Sequence, residues 1–317
     1  MLGIDGMPLP ESLRAYDDPN AFERIFVHVG GLRFSLRVAG EPNAEALALC
    51  LHGFPESSYS WRYQMPLLAK LGYRVWAPDL RGYGDSDKPN RVEDYRLEFL
   101  LEDIAGLVDQ ASAKRLILVG HDWGGYLAWQ FAIRRIRPLE RLIVMNIPHP
   151  RRMAEGLRRS PKQLLRSWYM FAFQIPRFPE WWLSRNNHEA IRKAFLGMAI
   201  DKSRFPPHVL DEFVRSASQP GALFGMLAYY RASFRYPHRT PRRVLELPTL
   251  LLWGEEDRAL GKELTHNTHE LVRPLTLRFI PNCSHWVQQE APEVVNAMIE
   301  DWLEGRRVRH ASEIARC

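Results

Sequence analysis

Hydrophobic positions along the chain follow two patterns. Short apolar runs stand at Ile25–Val29, Leu32–Val38, Ala46–Leu51, Arg74–Ala77, Leu116–Val119, Leu142–Met145, Leu250–Trp253 and Leu275–Ile280. Several are apolar at every position, as a strand is when both its faces are covered. Helical patterns separate most of them. Together they predict βαβ units and a mostly parallel eight-stranded sheet with helices on both faces. The first two runs are joined by Gly30-Gly31 and read as a hairpin.

The middle of the chain differs. From about Pro148 to Arg243 no comparable strand run appears, and helical stretches rich in Trp, Phe, Tyr and Arg are broken at Pro161, Pro176, Pro179, Pro206-Pro207, Pro220 and Pro237. This predicts a helical cap inserted into one α/β core. Residues 1–147 form the first part of the core, 148–243 the cap and 244–317 the second part. The last stretch, Glu304–Cys317, is polar and is expected to end in a loose tail.

Composition narrows the class. The 317 residues are 46% hydrophobic and 25% charged, which excludes a disordered chain. No run approaches the ~18 apolar residues of a membrane span. Met1–Ser12 lacks the apolar core of a secretory signal. Cys50, Cys283 and Cys317 are far apart and odd in number, which suits a reducing, cytoplasmic setting. The net charge of +6 is uneven: 148–243 carries 18 Lys and Arg against 6 Asp and Glu, and the remainder 25 against 31. A solvated basic face is the plain reading. Weak attraction to anionic membranes or polyanions is the sharper one. No nucleic-acid motif accompanies it.

The chemistry concentrates at Gly120-His-Asp122-Trp-Gly124, where an apolar strand runs into a tight turn and then an apolar helix. That is the context of a nucleophile elbow, with a carboxylate in place of a hydroxyl. The helix dipole favours ionised Asp122. The rival reading is a plain N-cap. A carboxylate attacking an ester or amide would give an anhydride. Attack on an electrophilic sp³ carbon gives an alkyl ester that water can cleave, so epoxides or alkyl halides are the expected substrates. His285 follows the last strand and is the candidate base. Asp257, with Glu255 and Glu256 as rivals, would orient it. The order Asp122, Asp257, His285 is that of nucleophile, acid and base in α/β-hydrolases. After another strand, His52-Gly-Phe54-Pro55 offers the Phe54 N–H to an oxyanion hole, and Trp123 N–H is the second donor. Phe54-Pro55 is a candidate cis peptide. Tyr169 and Tyr230 are candidate phenol donors, though pattern alone does not separate them from core aromatics.

Taken with Asp79-Leu-Arg-Gly-Tyr-Gly-Asp-Ser86, Leu227-Ala-Tyr-Tyr-Arg231, Gly254-Glu-Glu-Asp257 and Cys283-Ser-His-Trp286, these motifs identify a resemblance. The chain is similar to the epoxide hydrolases of the α/β-hydrolase superfamily from about Phe26 to Glu304. The resemblance implies a nucleophile at Asp122, a relay pair at Asp257 and His285, and two ring-opening tyrosines in the cap. Tyr169 matches the first, four residues before Phe173 of Phe-Gln-Ile-Pro176. Tyr230, directly before Arg231, matches the second in preference to Tyr229. Trp123, Phe54, Pro55, Trp168, Phe173 and Tyr229 are expected to meet a lipophilic epoxide. The Asp79–Ser86 loop reads as structural. No cofactor or metal is implied, and a homodimer is left open. Haloalkane or haloacid dehalogenases are the alternative, although Phe54 stands where haloalkane dehalogenases commonly carry a halide-binding Asn. A non-catalytic ligand receptor on the same fold is the third reading.

Overall fold

A computed structural model describes residues 11–314. Its eight strands are β1 (Glu23–Val29), β2 (Leu32–Ala39), β3 (Ala46–Leu51), β4 (Arg74–Pro78), β5 (Arg115–His121), β6 (Arg141–Met145), β7 (Leu245–Gly254) and β8 (Val272–Ile280). They form one sheet in the order β1-β2-β4-β3-β5-β6-β7-β8. β2 runs antiparallel to both neighbours, and the strands from β4 to β8 are parallel. Gly30 and Gly31 turn the first hairpin at φ of 57° and 80°, as a two-residue turn of this hand requires. β7 absorbs Pro248 at an irregularity in its pairing with β8 between Glu246 and Thr249.

The central strands are apolar because both faces are covered. Leu47, Leu49, Leu51 and Leu118 meet the helices Leu97–Ala111 and Asp122–Arg134 on one face. Ala48, Cys50, Ile117 and Val119 meet Gln64–Lys70 and Pro292–Leu303 on the other. The alternation is the two-residue period of a strand.

Between β6 and β7 lie the helices Pro150–Arg159, Pro161–Arg166, Trp168–Ala172, Phe178–Met198, Pro207–Ser218 and Ala222–Arg235. Prolines at the first or second position start four of them, where a missing N–H costs nothing. Phe178–Met198 is interrupted at Arg185–His188, with Asn186, Asn187 and His188 left-handed. The helical segment is tied to the sheet's C-terminal edge through buried polar contacts. Gln163 donates to Ala259 O at 2.9 Å and accepts from Gly261 N at 3.0 Å. Buried Arg231 spans Phe173 O, Ile175 O and Glu180. Among the described residues no helix is long and apolar enough to cross a membrane.

The polar stretch from Glu304 is docked as far as Ile314, and the loose end expected of it falls on residues outside the described ones. Asp301 holds Arg306 and Arg309, Val308 and Ala311 are buried, and Ala311–Ile314 is helical. Two apolar side chains in a polar stretch suffice to dock it on the second face of the sheet. Cys317 lies outside the described residues.

Candidate active site

The site is built where the parallel strands end. β5 runs directly into the helix Asp122–Arg134, and Asp122 at the junction has φ of 47°. A non-glycine residue in this region costs on the order of 1–3 kcal/mol, so the surroundings must impose it. They do so by close approach. A Cβ at Gly124 would lie 2.1 Å from Leu51 O, and one at Gly53 would lie 2.4 Å from the Asp122 Cβ. The turn after β3 therefore presses against the nucleophile candidate. There Phe54 N–H donates to Asp122 Oδ1 at 2.8 Å, and the Phe54–Pro55 peptide is cis. The Trp123 N–H belongs to the first helical turn, whose amides lack intrahelical acceptors.

Oδ2 of Asp122 faces the imidazole. His285 Nε2 stands 3.6 Å away, too long for a hydrogen bond but close for opposite charges. On its other side Nδ1 of His285 donates to Asp257 Oδ2 at 2.7 Å. Glu255 pairs with Lys262 instead, and Glu256 accepts from Cys283 N, so neither rival reaches the ring. Burial favours the neutral imidazole, but the charges of Asp257 and Asp122 outweigh it and push the His285 pKa up to about 10. Burial likewise disfavours the Asp257 charge. His285 and the donors around the carboxylate prevail, holding it below the usual range.

Above these groups lies a cavity of about 480 Å³. Asp122, His285, Tyr169, Tyr230, Phe54, Pro55, Trp168 and Phe173 all line it. Burial, reinforced by the Asp122 charge, raises both phenols above their ordinary pKa, so each keeps its proton. The two rings meet edge to face at 5.9 Å, and Tyr230 also packs on Phe54, Phe173 and Trp123.

Two expected substrate contacts are not brought to the cavity. Tyr229 is buried beside Tyr83, Tyr95 and Trp123, and its hydroxyl donates to Arg81 O at 2.9 Å. Adjacent helical residues differ by about 100° in direction, so Tyr230 and Tyr229 cannot both face the site. The Trp123 ring packs edge to face on Tyr230 at 5.0 Å and is not among the residues lining the cavity.

A family described as alpha/beta hydrolase fold matches residues 49–292. Epoxide hydrolase 3 of Xenopus tropicalis is 44% identical over 278 residues, 86% of this chain and 75% of that protein. Human epoxide hydrolase 4 is 39% identical over 294 residues, 90% and 80% of the two chains. A variant of the Bacillus megaterium epoxide hydrolase, solved with its product (R)-3-[1]naphthyloxy-propane-1,2-diol, superposes with a TM-score of 0.81 at 28% identity, covering 88% of this chain and 100% of that one. The chain belongs to the epoxide hydrolases of the α/β-hydrolase superfamily.

Like any epoxide hydrolase of this fold, the chain needs its site groups held rigidly, and here the structure adds residues that sequence reasoning missed. Asn146, just past β6 at φ 44°, donates to Asp257 Oδ2 at 2.8 Å and accepts from Gly254 N at 2.9 Å. Ala259 N and Leu260 N complete the cradle on Oδ1. Beneath the nucleophile, buried Glu56 accepts from Gly53 N and from both Gln288 and Gln289 side chains. Glu56 also meets His121 Nδ1 at 2.7 Å, and His121 Nε2 donates to His285 O at 2.8 Å. Burial alone would raise the Glu56 pKa; His121, Ser60 and the Gly53 amide reverse that and hold it at about 2. One buried carboxylate thus links the oxyanion turn, the elbow and the base loop. Its only signal in the sequence is Glu three residues after Gly53 in a turn, which many loops share. The Asp79–Ser86 loop is structural: Asp79 accepts from Ser58 N and Asp85 N. His52 accepts from Leu80 N, and His149 caps Pro150–Arg159.

Proposed function

We propose that the chain hydrolyses lipophilic epoxides to vicinal diols through a covalent ester on Asp122. The observation that carries this reading is one cavity holding a carboxylate, an imidazole and two protonated phenols. Tyr169 and Tyr230 hydrogen-bond the epoxide oxygen. Oδ2 of Asp122 attacks a ring carbon, the C–O bond breaks, and one of the two phenols gives its proton to the oxygen, which becomes a hydroxyl, the phenolate regaining a proton from solvent. Oδ1 remains on the Phe54 N–H as the ester carbonyl, with Trp123 N–H as the second donor.

Esterification removes the Asp122 charge that holds the proton on His285, so the imidazole loses a proton and becomes a base. It then deprotonates a water that attacks the Asp122 carbonyl carbon. The tetrahedral intermediate expels the diol and restores the carboxylate. Asp257 keeps the ring oriented throughout. The segment 148–243 acts as a lid that supplies the phenols and most of the apolar lining, with residues 1–147 and 244–317 as the core.

Trp168, Phe173, Phe178 and Trp182 around the cavity support a lipophilic, aromatic substrate. An aryloxy diol as the product of the Bacillus megaterium relative agrees with that class. The Trp123 ring packs against Tyr230 and does not line the cavity, so its indole is not presented as a halide donor, which favours the epoxide over a haloalkane. Buried free Cys50 and Cys283 support a reducing, cytoplasmic setting. The deciding experiment is Asp122→Ala against a panel of styrene-oxide-like epoxides and haloalkanes. Diol formation by the parent and none by the variant is expected. Near-parental turnover by the variant, or halide release by the parent without diol formation from epoxides, would reject the reading.

A further inference from the structure

The helical segment carries an exposed apolar surface that extends beyond the rim of the cavity. Of the twelve large apolar side chains exposed among the described residues, eight lie between Leu164 and Trp182. Leu165 is 75% exposed, Trp168 62%, Trp181 53%, Phe178 52% and Trp182 48%. Contacts join four of these side chains. Trp168, Phe178 and Trp182 rim the same cavity, and Phe178 packs against Trp181 with ring centroids 5.8 Å apart. An exposed apolar patch of this kind marks an interaction site.

Its charge is equally one-sided. Between Arg158 and Lys193 stand eight Lys and Arg against two carboxylates. Both carboxylates are matched, Glu180 by Arg231 and Glu189 by Lys193. Arg158, Arg159, Lys162, Arg177 and Arg185 form no salt bridge among the described residues. The Arg185 guanidinium lies 4.7 Å above the Trp181 ring, so cation and indole sit side by side.

We propose that this face docks on an anionic phospholipid surface, with Leu165, Trp168, Phe178 and Trp181 in the headgroup boundary and the cations on lipid phosphates and carboxylates. Trp at the headgroup level with cations around it is the arrangement an interface selects. A second copy would set the same unmatched positive charge against itself, which disfavours a dimer through this face. The rim of the cavity is part of the face, so a lipophilic substrate passes from bilayer to Asp122 without crossing water. Only that delivery step rests on the epoxide reading; docking stands on the surface alone.

Cosedimentation of the full chain with vesicles tests it, using phosphatidylcholine alone and phosphatidylcholine with about 30 mol% phosphatidylserine. The expected result is at least roughly ten-fold tighter binding to the anionic vesicles, lost as NaCl rises from about 0.05 to about 0.5 M. Leu165→Ser with Trp181→Ser should weaken binding roughly ten-fold, since both lie outside the cavity lining. Lys162→Glu with Arg185→Glu should abolish the preference for anionic lipid. Unchanged thermal melting and turnover of a water-soluble epoxide would show that both variants are folded; sedimentation itself does not depend on turnover. Equal binding to both vesicle types, or parental binding by both variants, would overturn the proposal. So would a parent dimer that ignores vesicles and dissociates in the Leu165→Ser/Trp181→Ser variant, which would assign the face to a second copy.

Discussion

Replacing His285 by Gln should separate the two half-reactions. Alkylation needs Oδ2 of Asp122, the Phe54 N–H on Oδ1 and the two phenols, none of which the substitution removes. Hydrolysis needs a base, and loss of a positioned base slows a step by roughly 10²- to 10⁴-fold, or about 3 to 5 kcal/mol of barrier. The fold should tolerate the change. Removing one member of a buried charge pair costs about 3–5 kcal/mol when the other is stranded. Asp257 is not stranded: Asn146, Ala259 N and Leu260 N still donate to it at 2.8–2.9 Å, and the new amide can replace Nδ1–H. A cost nearer 1–3 kcal/mol is expected, visible as a Tm lowered by a few degrees. Mixed with excess epoxide, the variant should consume one equivalent and stall. Intact-mass spectrometry should show the substrate's mass added, and peptide mapping should place it on Asp122. In single turnovers of the parent in ¹⁸O-water, the label should enter Asp122 and leave the diol unlabelled. Label in the diol, with no adduct on the variant, would mean that water attacks the epoxide directly and would refute the covalent scheme.

Tyr169→Phe and Tyr230→Phe should each slow ring opening roughly 10- to 1000-fold, and the double variant should nearly abolish it in stopped-flow measurements of alkylation. Gly53→Ala brings a Cβ to 2.4 Å from that of Asp122, so the nucleophile or the turn must move; a loss of about 10²-fold in kcat/KM is expected, with circular dichroism unchanged. Glu56, held at about 2 against its ordinary 4.5, stabilises the fold fully above that ordinary value and loses the contribution as pH falls towards 2. In Glu56→Gln, the fall in Tm between about pH 5 and pH 3 should therefore be shallower than in the parent.

The sheet was readable from local pattern because β3, β5, β6 and the core of β7 are covered on both faces, and burial on both faces leaves a run with no polar position. The elbow was readable for the same kind of reason. Gly120, Asp122 and Gly124 are neighbours in the chain, and the steric demand that selects them acts within one turn. Choices between adjacent candidates were not local. Asp257 rather than Glu255 or Glu256 reaches His285 because the loop after β7 is pinned by Asn146, 111 residues earlier. Tyr229 and Tyr230 have similar chemistry, and only the seating of Ala222–Arg235 on Trp123 and Tyr83 turns one inward and the other towards Arg81. Composition marked Glu304–Ile314 as polar, yet Asp301 and two apolar side chains dock it, since a few contacts outweigh average polarity. The Glu56–His121–His285 chain joins the turn after β3, the end of β5 and the loop after β8, its links spanning 65 and 164 residues of sequence. Such a network leaves no periodic trace, because its hydrogen bonds depend on where strand ends meet in space rather than on any spacing along the chain.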